Sequence, residues 1–217
     1  MNFEQARENM IKQQIRPWEV ADQKTLDLLT MIHREDFVPI AYRDLALADI
    51  NIPLPHNQII MTPKIEARLL QHLAIQPDEK ILEIGTGCGY LTALLAKSGK
   101  IVHSIDIYAD FMEHAQPRFK QYGLNNIHLD VGDAVRGWPQ AAPYDVIVVT
   151  GSVPLLERHF QEQLQVGGRL FVIVGQSPAM EARLITRTEP ETWMMESLFE
   201  TDLPPLVGAP APETFHF

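Results

Sequence analysis

Two runs in the second half of the chain, DVIVVT at 145–150 and RLFVIV at 169–174, hold four and five consecutive apolar residues. Successive side chains of a strand point to opposite faces, so such a strand needs cover on both sides. Only a largely parallel sheet sandwiched between helices supplies it. The pattern around these runs agrees. Apolar spacing and breakers predict a helix over 64–74, a strand over 80–84, a helix over 88–98, a strand over 101–106 and a helix over 109–122. Strands follow at 126–130 and 144–150, then a helix at 154–164 and strands at 168–174, 181–187 and 193–199. The last two have no helix between them and read as an antiparallel hairpin around residues 188–191. The expected architecture is a doubly wound α/β sheet.

The N-terminal quarter is different. Residues 3–15 and 22–32 have helical apolar spacing and are separated by Arg16-Pro17-Trp18, while 33–63 is a loop-rich stretch punctuated by Pro39, Pro53, Pro55 and Pro63. The tail after Leu203 carries four prolines and is expected to be extended.

Charge and composition exclude several classes of function. A formal net charge of −10 repels phosphate backbones, and with no basic patch in the sequence no nucleic-acid partner is expected. No apolar run approaches the ~20 residues of a membrane-spanning helix, so no membrane association is expected. The mixed polar start, MNFEQARENMIKQQ, lacks a secretory signature, and the single cysteine, Cys88, forbids an intrachain disulfide. Both point to the cytoplasm. The eight histidines show no zinc-ligand spacing, so no metal is expected. Nothing in the pattern dictates a self-association state.

The chemistry concentrates in EIGTGCGY, residues 83–90. The glycines Gly85, Gly87 and Gly89 stand between a strand and a helix, which places a nucleotide across the turn. Their spacing is one residue shorter than the G-x-G-x-x-G of dinucleotide sites. Glu83, beside the turn, is poor company for a pyrophosphate and a good acceptor for an ammonium group. S-adenosylmethionine carries an ammonium and no phosphate. Asp106 ends the next strand, where a carboxylate accepts ribose hydroxyls, and Asp133 in VGDA is placed to receive an adenine amino group. Tyr90 and Trp138 are further candidates for flanking the ligand. Cys88 reads as a small buried filler, and His56 as a solvated loop histidine.

Through these residues the sequence resembles the S-adenosylmethionine-dependent methyltransferases and, more narrowly, the protein-L-isoaspartate O-methyltransferase family. The resemblance spans nearly the whole chain: REDFVP at 34–39, AYRDLAL at 41–47, EIGTGCGYLTALLA at 83–96, GDAVRGWP at 132–139 and APYDVIVVTGSVP at 142–154. It implies a Rossmann-like methyltransferase sheet of seven strands, the last antiparallel, under an N-terminal helical cap. The division it implies is a cap and acceptor-site loop at 1–63, an S-adenosylmethionine-binding α/β domain at 64–203 and a Pro-rich tail at 204–217. Beside the acids and glycines already named, it adds Thr86, Ile107, Gly132 and Ala134 to the cofactor site. The implied substrate is a protein or peptide whose carboxylate is methylated, as in the repair of isoaspartyl residues.

One motif departs from the family. Where the family has G-Q-T-I-S-x-P, this chain has Asn57-Gln58-Ile59-Ile60-Met61-Thr62-Pro63. Gln58, Met61 and Thr62 are the candidate acceptor-site residues, but the hydroxyl of the motif serine is replaced by the thioether of Met61. Thr62 supplies a hydroxyl only if the loop is turned by one residue. The sequence is compatible with four functions: an isoaspartyl carboxyl methyltransferase, a methyltransferase of the same fold with another carboxylate acceptor, a non-catalytic S-adenosylmethionine-binding protein, and a nicotinamide enzyme. A carboxylate acceptor is ionised at neutral pH and needs no general base. This suits a sequence with no evident base.

Overall fold

The computed structural model describes residues 2–211. The chain opens with helix α1 (Phe3–Met10), whose N-cap Asn2 accepts the Gln5 amide at 3.2 Å. Wider and tighter turns over Ile11–Ile15 and Arg16–Trp18 continue it to Glu19, which is left-handed at φ 63°. Helix α2 (Gln23–Met31) starts where the Asp22 carboxylate accepts the Thr25 amide at 2.8 Å. Residues 33–62 contain short 3-10 turns and a two-residue hairpin, β1 (Ile52–Pro53) against β2 (Ile59–Ile60).

Alternation then sets in as expected: α3 (Pro63–Leu73), β3 (Lys80–Ile84), α4 (Tyr90–Ser98), β4 (Ile101–Asp106), α5 (Ala109–Gln121) and β5 (Ile127–Val131). The chain returns through β6 (Tyr144–Val153), the short α6 (His159–Glu162) and β7 (Leu164–Gln176), and ends in the hairpin β8 (Ala179–Glu189) and β9 (Thr192–Thr201). The seven-stranded sheet has the order β5-β4-β3-β6-β7-β8-β9. Strands β3 to β7 are parallel to their neighbours, β8 runs against β7, and β9 runs against β8.

The apolar runs sort by side-chain parity. Val146, Val148, Phe171 and Ile173 join the core layer that also contains α4 and the N-terminal helices, through Met10, Ile15 and Leu29. Ile147, Val149, Leu170 and Val172 point the other way into a second layer with Phe160 and Ile185. Both faces of β6 and β7 are therefore buried, the condition that made the sequence pattern informative.

One expected element is replaced. The helix expected over 154–164 shrinks to the four residues of α6, and β6 runs on to Val153. Ser152 is paired with the tail: its N–H donates to Pro204 O at 2.9 Å and its carbonyl accepts the Leu206 N–H at 2.9 Å. These bonds extend the strand three residues beyond the expected end at Thr150. Residues 203–211 of the tail are described; residues 212–217, also expected to be extended, lie outside the described residues.

Candidate functional site

The order of the sheet makes β3 and β6 neighbours although β4 and β5 intervene in sequence, so helices leave the two halves in opposite directions. Ligands of open α/β sheets collect at the carboxyl ends of strands at such a point. A cleft with about 700 Å³ of empty space, its open mouth included, lies there.

Its floor is the glycine turn. Gly85 leaves β3 at φ +99°, and a Cβ there would stand 2.1 Å from the Thr150 hydroxyl oxygen. Only a residue without a side chain lets the backbone lie open to the cleft at this place. The Thr150 hydroxyl is held by the carbonyls of Ile84 and Gly85, each at 2.9 Å. Gly89 is left-handed at φ +84° and packs so tightly that a Cβ would meet Ala115 at 2.7 Å. It sits at the N-terminal end of α4 and brings that helix onto α5.

Asp106, at the end of β4, lines the cleft and is 7% exposed. One of its oxygens accepts the Gly87 amide at 2.9 Å and the other the Tyr108 amide at 3.0 Å. Burial raises its pKa against the pull of those amides. Each oxygen keeps a second lone pair for a ligand hydroxyl. Asp133, after β5, also lines the cleft, with one oxygen accepting the Val135 amide at 3.0 Å. Gly85, Gly87, Ile107, Gly132, Ala134 and Gln58 share the wall. Among the described residues, the lining carries two carboxylates and no Lys, Arg or His.

The cleft continues past Gly85, Gly87 and Thr150 into a smaller recess walled by Ile59, Ile60, Met61, Cys88 and Leu91, with Thr86 at its edge and Glu66, whose pKa burial raises to about 7 against the pull of Arg34, also in the lining. Arg34, 1% exposed, fixes this wall from behind. Its guanidinium donates to Met61 O at 2.6 Å, to Ala46 O at 2.8 Å and to the Glu66 carboxylate at 2.5 Å. The REDFVP and AYRDLAL segments and the acceptor loop are thereby joined at one buried cation.

Four residues expected at or beside the site face elsewhere. Glu83 is fully buried behind the turn and does not line the cleft. Inside β3 its side chain alternates away from the cleft, and one oxygen accepts the Thr92 hydroxyl at 2.5 Å and the Ser104 hydroxyl at 2.6 Å. Burial pushes its pKa up to about 8. It supports the turn and offers no carboxylate surface to an ammonium group. Tyr90 packs at 1% exposure against Phe37, ring centroids 5.7 Å apart, and under the Arg34 guanidinium at 5.3 Å. It belongs to the core. Thr62 is buried with a hydroxyl that has no partner, and it lines a separate groove with Trp18, Lys64 and Arg68. Adjacent residues of an extended segment point apart, so the residue after Met61 does not replace the missing serine. Trp138 likewise supports the cleft from outside, its ring lying 2.8 Å from where a Gly132 Cβ would stand.

Two further readings are decided here. Cys88 has its thiol pushed up to about 12 by burial, so it remains protonated. His56 is more than a solvated loop residue: it stacks on Tyr108 and bonds to Asp110. Sequence reasoning missed Leu203, Pro204, Leu206 and Val207, which close one side of the cleft. The signal for Thr150 was available, since it directly follows the apolar run of a parallel strand. For the tail there was none, because its place depends on pairing with Ser152.

A sequence profile of the family described as protein-L-isoaspartate(D-aspartate) O-methyltransferase (PCMT) matches residues 5–210. The chain belongs to this family. The protein-L-isoaspartate O-methyltransferase of Brucella anthropi is 34% identical over 208 residues, covering 95% of each chain. That of Gloeobacter violaceus is 37% identical over 180 residues, 82% of this chain and 88% of the relative. The fold also matches the crystal structure of a putative PCMT from Plasmodium falciparum in complex with S-adenosyl-L-homocysteine. The TM-score is 0.80 at 18% identity, with 95% of this chain and 98% of that one covered. At that identity the likeness concerns the fold.

Proposed function

We propose that this protein is an S-adenosylmethionine-dependent carboxyl O-methyltransferase that esterifies isoaspartyl carboxylates of damaged polypeptides, the activity for which its relatives are named. The observation that carries the cofactor assignment is the wall of the cleft: two carboxylates, no cation and an open glycine backbone. A pyrophosphate would be repelled there, whereas a sulfonium with a ribose diol suits both charge and hydrogen-bonding capacity.

The residues fit that group. The free lone pairs of Asp106 would hold the ribose hydroxyls, Asp133 the adenine edge, and the backbone from Gly85 to Gly87 the amino-acid end. When bound, S-adenosylmethionine supplies an electrophilic methyl group on a sulfonium whose leaving group is neutral. The chain contributes position and dryness. Arg34 holds the Met61 carbonyl and thus the loop; Ile59, Met61 and Leu91 give the recess its apolar walls. No group is required to take a proton, because the acceptor arrives ionised. The gain comes from alignment of the attacking oxygen, which is large where geometry is held. Residues 1–63 act as cap and acceptor-site loop in this reading, 64–203 as the cofactor domain and 204–217 as the tail. The substrate is a polypeptide rather than a nucleic acid, and a cytoplasmic location fits the lone cysteine. No helix among the described residues is long and apolar enough to cross a membrane.

The Met61 side chain favours a second reading, the same transfer to a different carboxylate. Formation of base-labile methyl esters on an isoaspartyl peptide, compared with the aspartyl peptide, tests the first reading. Absence of ester on the isoaspartyl peptide, with S-adenosylmethionine still bound in calorimetry, favours the second.

A further inference from the structure

His56 sits at the tip of the β1–β2 hairpin, which forms one bank of the cleft through Leu54, Gln58 and Ile59. The opposite bank is the turn from β4 into α5, where Ile107, Tyr108 and Phe111 line the same cleft. His56 does not line the cleft and reaches across its rim. Its ring stacks on Tyr108 with centroids 3.9 Å apart and planes 6° from parallel, and meets Phe111 edge-on at 5.6 Å. Its Nε2 bonds to both oxygens of Asp110, at 3.0 and 3.1 Å, in the first turn of α5.

The backbone beneath is a tight turn that presents the His56 ring to the far bank. His56 and Asn57 are consecutive left-handed residues with side chains, at φ 58° and 57°. After glycine, residues such as Asn, Asp and His adopt that conformation most readily, and the turn is closed by its own backbone bonds, Leu54 N–H to Gln58 O at 2.8 Å and Gln58 N–H to Pro55 O at 3.1 Å. Within the loop the Gln58 side-chain amide donates to the His56 carbonyl at 3.0 Å. Across the cleft, the stack and the Asp110 bond are what tie it down. Both side chains are more than a third exposed, 38% and 41%, so the contact adds little to global stability and opens without unfolding the chain.

We propose that His56 is the latch of the cofactor cleft, a positioning residue that ties the acceptor loop to the β4–α5 bank and so sets how fast an adenosyl ligand leaves. The inference rests on the cofactor reading above. Two banks joined above a ligand must part for it to pass, and this contact joins them at the exposed rim. Closure also seats residues 59–61 beside Gly85.

The test has one arm without ligand and one with it. In the ligand-free protein, hydrogen exchange at residues 54–61 is expected to rise about fivefold in His56→Ala, with the rest of the chain and the thermal midpoint unchanged. With S-adenosylhomocysteine, release followed by stopped flow is expected to quicken about five- to tenfold, with Kd raised in proportion. His56→Phe, which keeps the stack and loses the Asp110 bond, and Asp110→Asn are expected to fall between. Unchanged exchange and release in His56→Ala overturn the proposal. So does a lowered thermal midpoint with exchange raised throughout, the mark of a purely structural residue. Should the native protein bind no S-adenosylhomocysteine, the cofactor reading fails, and exchange at 54–61 alone still decides whether His56 clamps the loop.

Discussion

The Gly87 amide donates to the Asp106 carboxylate at 2.9 Å, so the glycine turn after β3 and the acid at the end of β4 form one hydrogen-bonded unit. The turn cannot shift without disturbing the acid, and the acid is aimed before any ligand arrives. Asp106→Asn removes the charge and one acceptor oxygen from this unit. The expected loss is about 1.5–3 kcal/mol of cofactor binding, roughly a 10- to 150-fold rise in Kd for S-adenosylmethionine by titration calorimetry. An unchanged Kd would show that the ribose is held elsewhere.

Met61 and Thr62 are neighbours in sequence and line different cavities. Met61→Ser restores a hydroxyl to the wall of the acceptor recess and is expected to raise kcat/KM on an isoaspartyl peptide by about tenfold, the worth of one hydrogen bond of ~1.4 kcal/mol. Thr62→Val, which removes a hydroxyl with no partner, is expected to leave kcat/KM unchanged. The reverse pattern would mean that the loop turns during catalysis.

Glu83 makes stability depend on pH. Its pKa is pushed up to about 8 by burial, and the charges of Asp106 and Glu66 reinforce the rise over the capture of its carboxylate by Ser104 and Thr92. An acid whose pKa is raised in the folded state binds more protons folded than unfolded between the ordinary value of 4.5 and about 8, so stability falls as pH rises through that window. Glu83→Gln has no proton to lose. Its thermal midpoint relative to the native protein is expected to increase steadily from pH 5 to pH 8 and then level, by several degrees at about 2–4 °C per kcal/mol. A difference that stays flat with pH, in calorimetric scans, would refute it.

Arg34 and Glu66 form a fully buried ion pair that also carries the Met61 carbonyl. Arg34→Met leaves the Glu66 carboxylate without its partner and is expected to destabilise the protein by about 3–5 kcal/mol in urea unfolding. Arg34→Met together with Glu66→Met removes both charges and is expected to recover much of that loss. Failure of the double change to recover stability would locate the energy in the carbonyl contacts instead.

The α/β layering, the position of the glycine turn and the placing of Asp106 and Asp133 at strand ends were legible in the linear chain, because each follows from local periodicity. Apolar residues on both faces mean a covered parallel strand, and strand ends carry the ligand. What tertiary structure decided was direction and closure. Glu83 and Tyr90 stand beside the turn in sequence, yet side-chain parity within β3 turns one behind the turn, and packing at the start of α4 draws the other into the core against Phe37. Residues 203–207 and His56 reach the cleft through Ser152 and Asp110, 54 residues from His56 in the second case. Local spacing dictates the elements because backbone hydrogen bonding and side-chain parity are short-range. Which distant segments cover them is decided only when the whole chain competes to satisfy its buried polar groups.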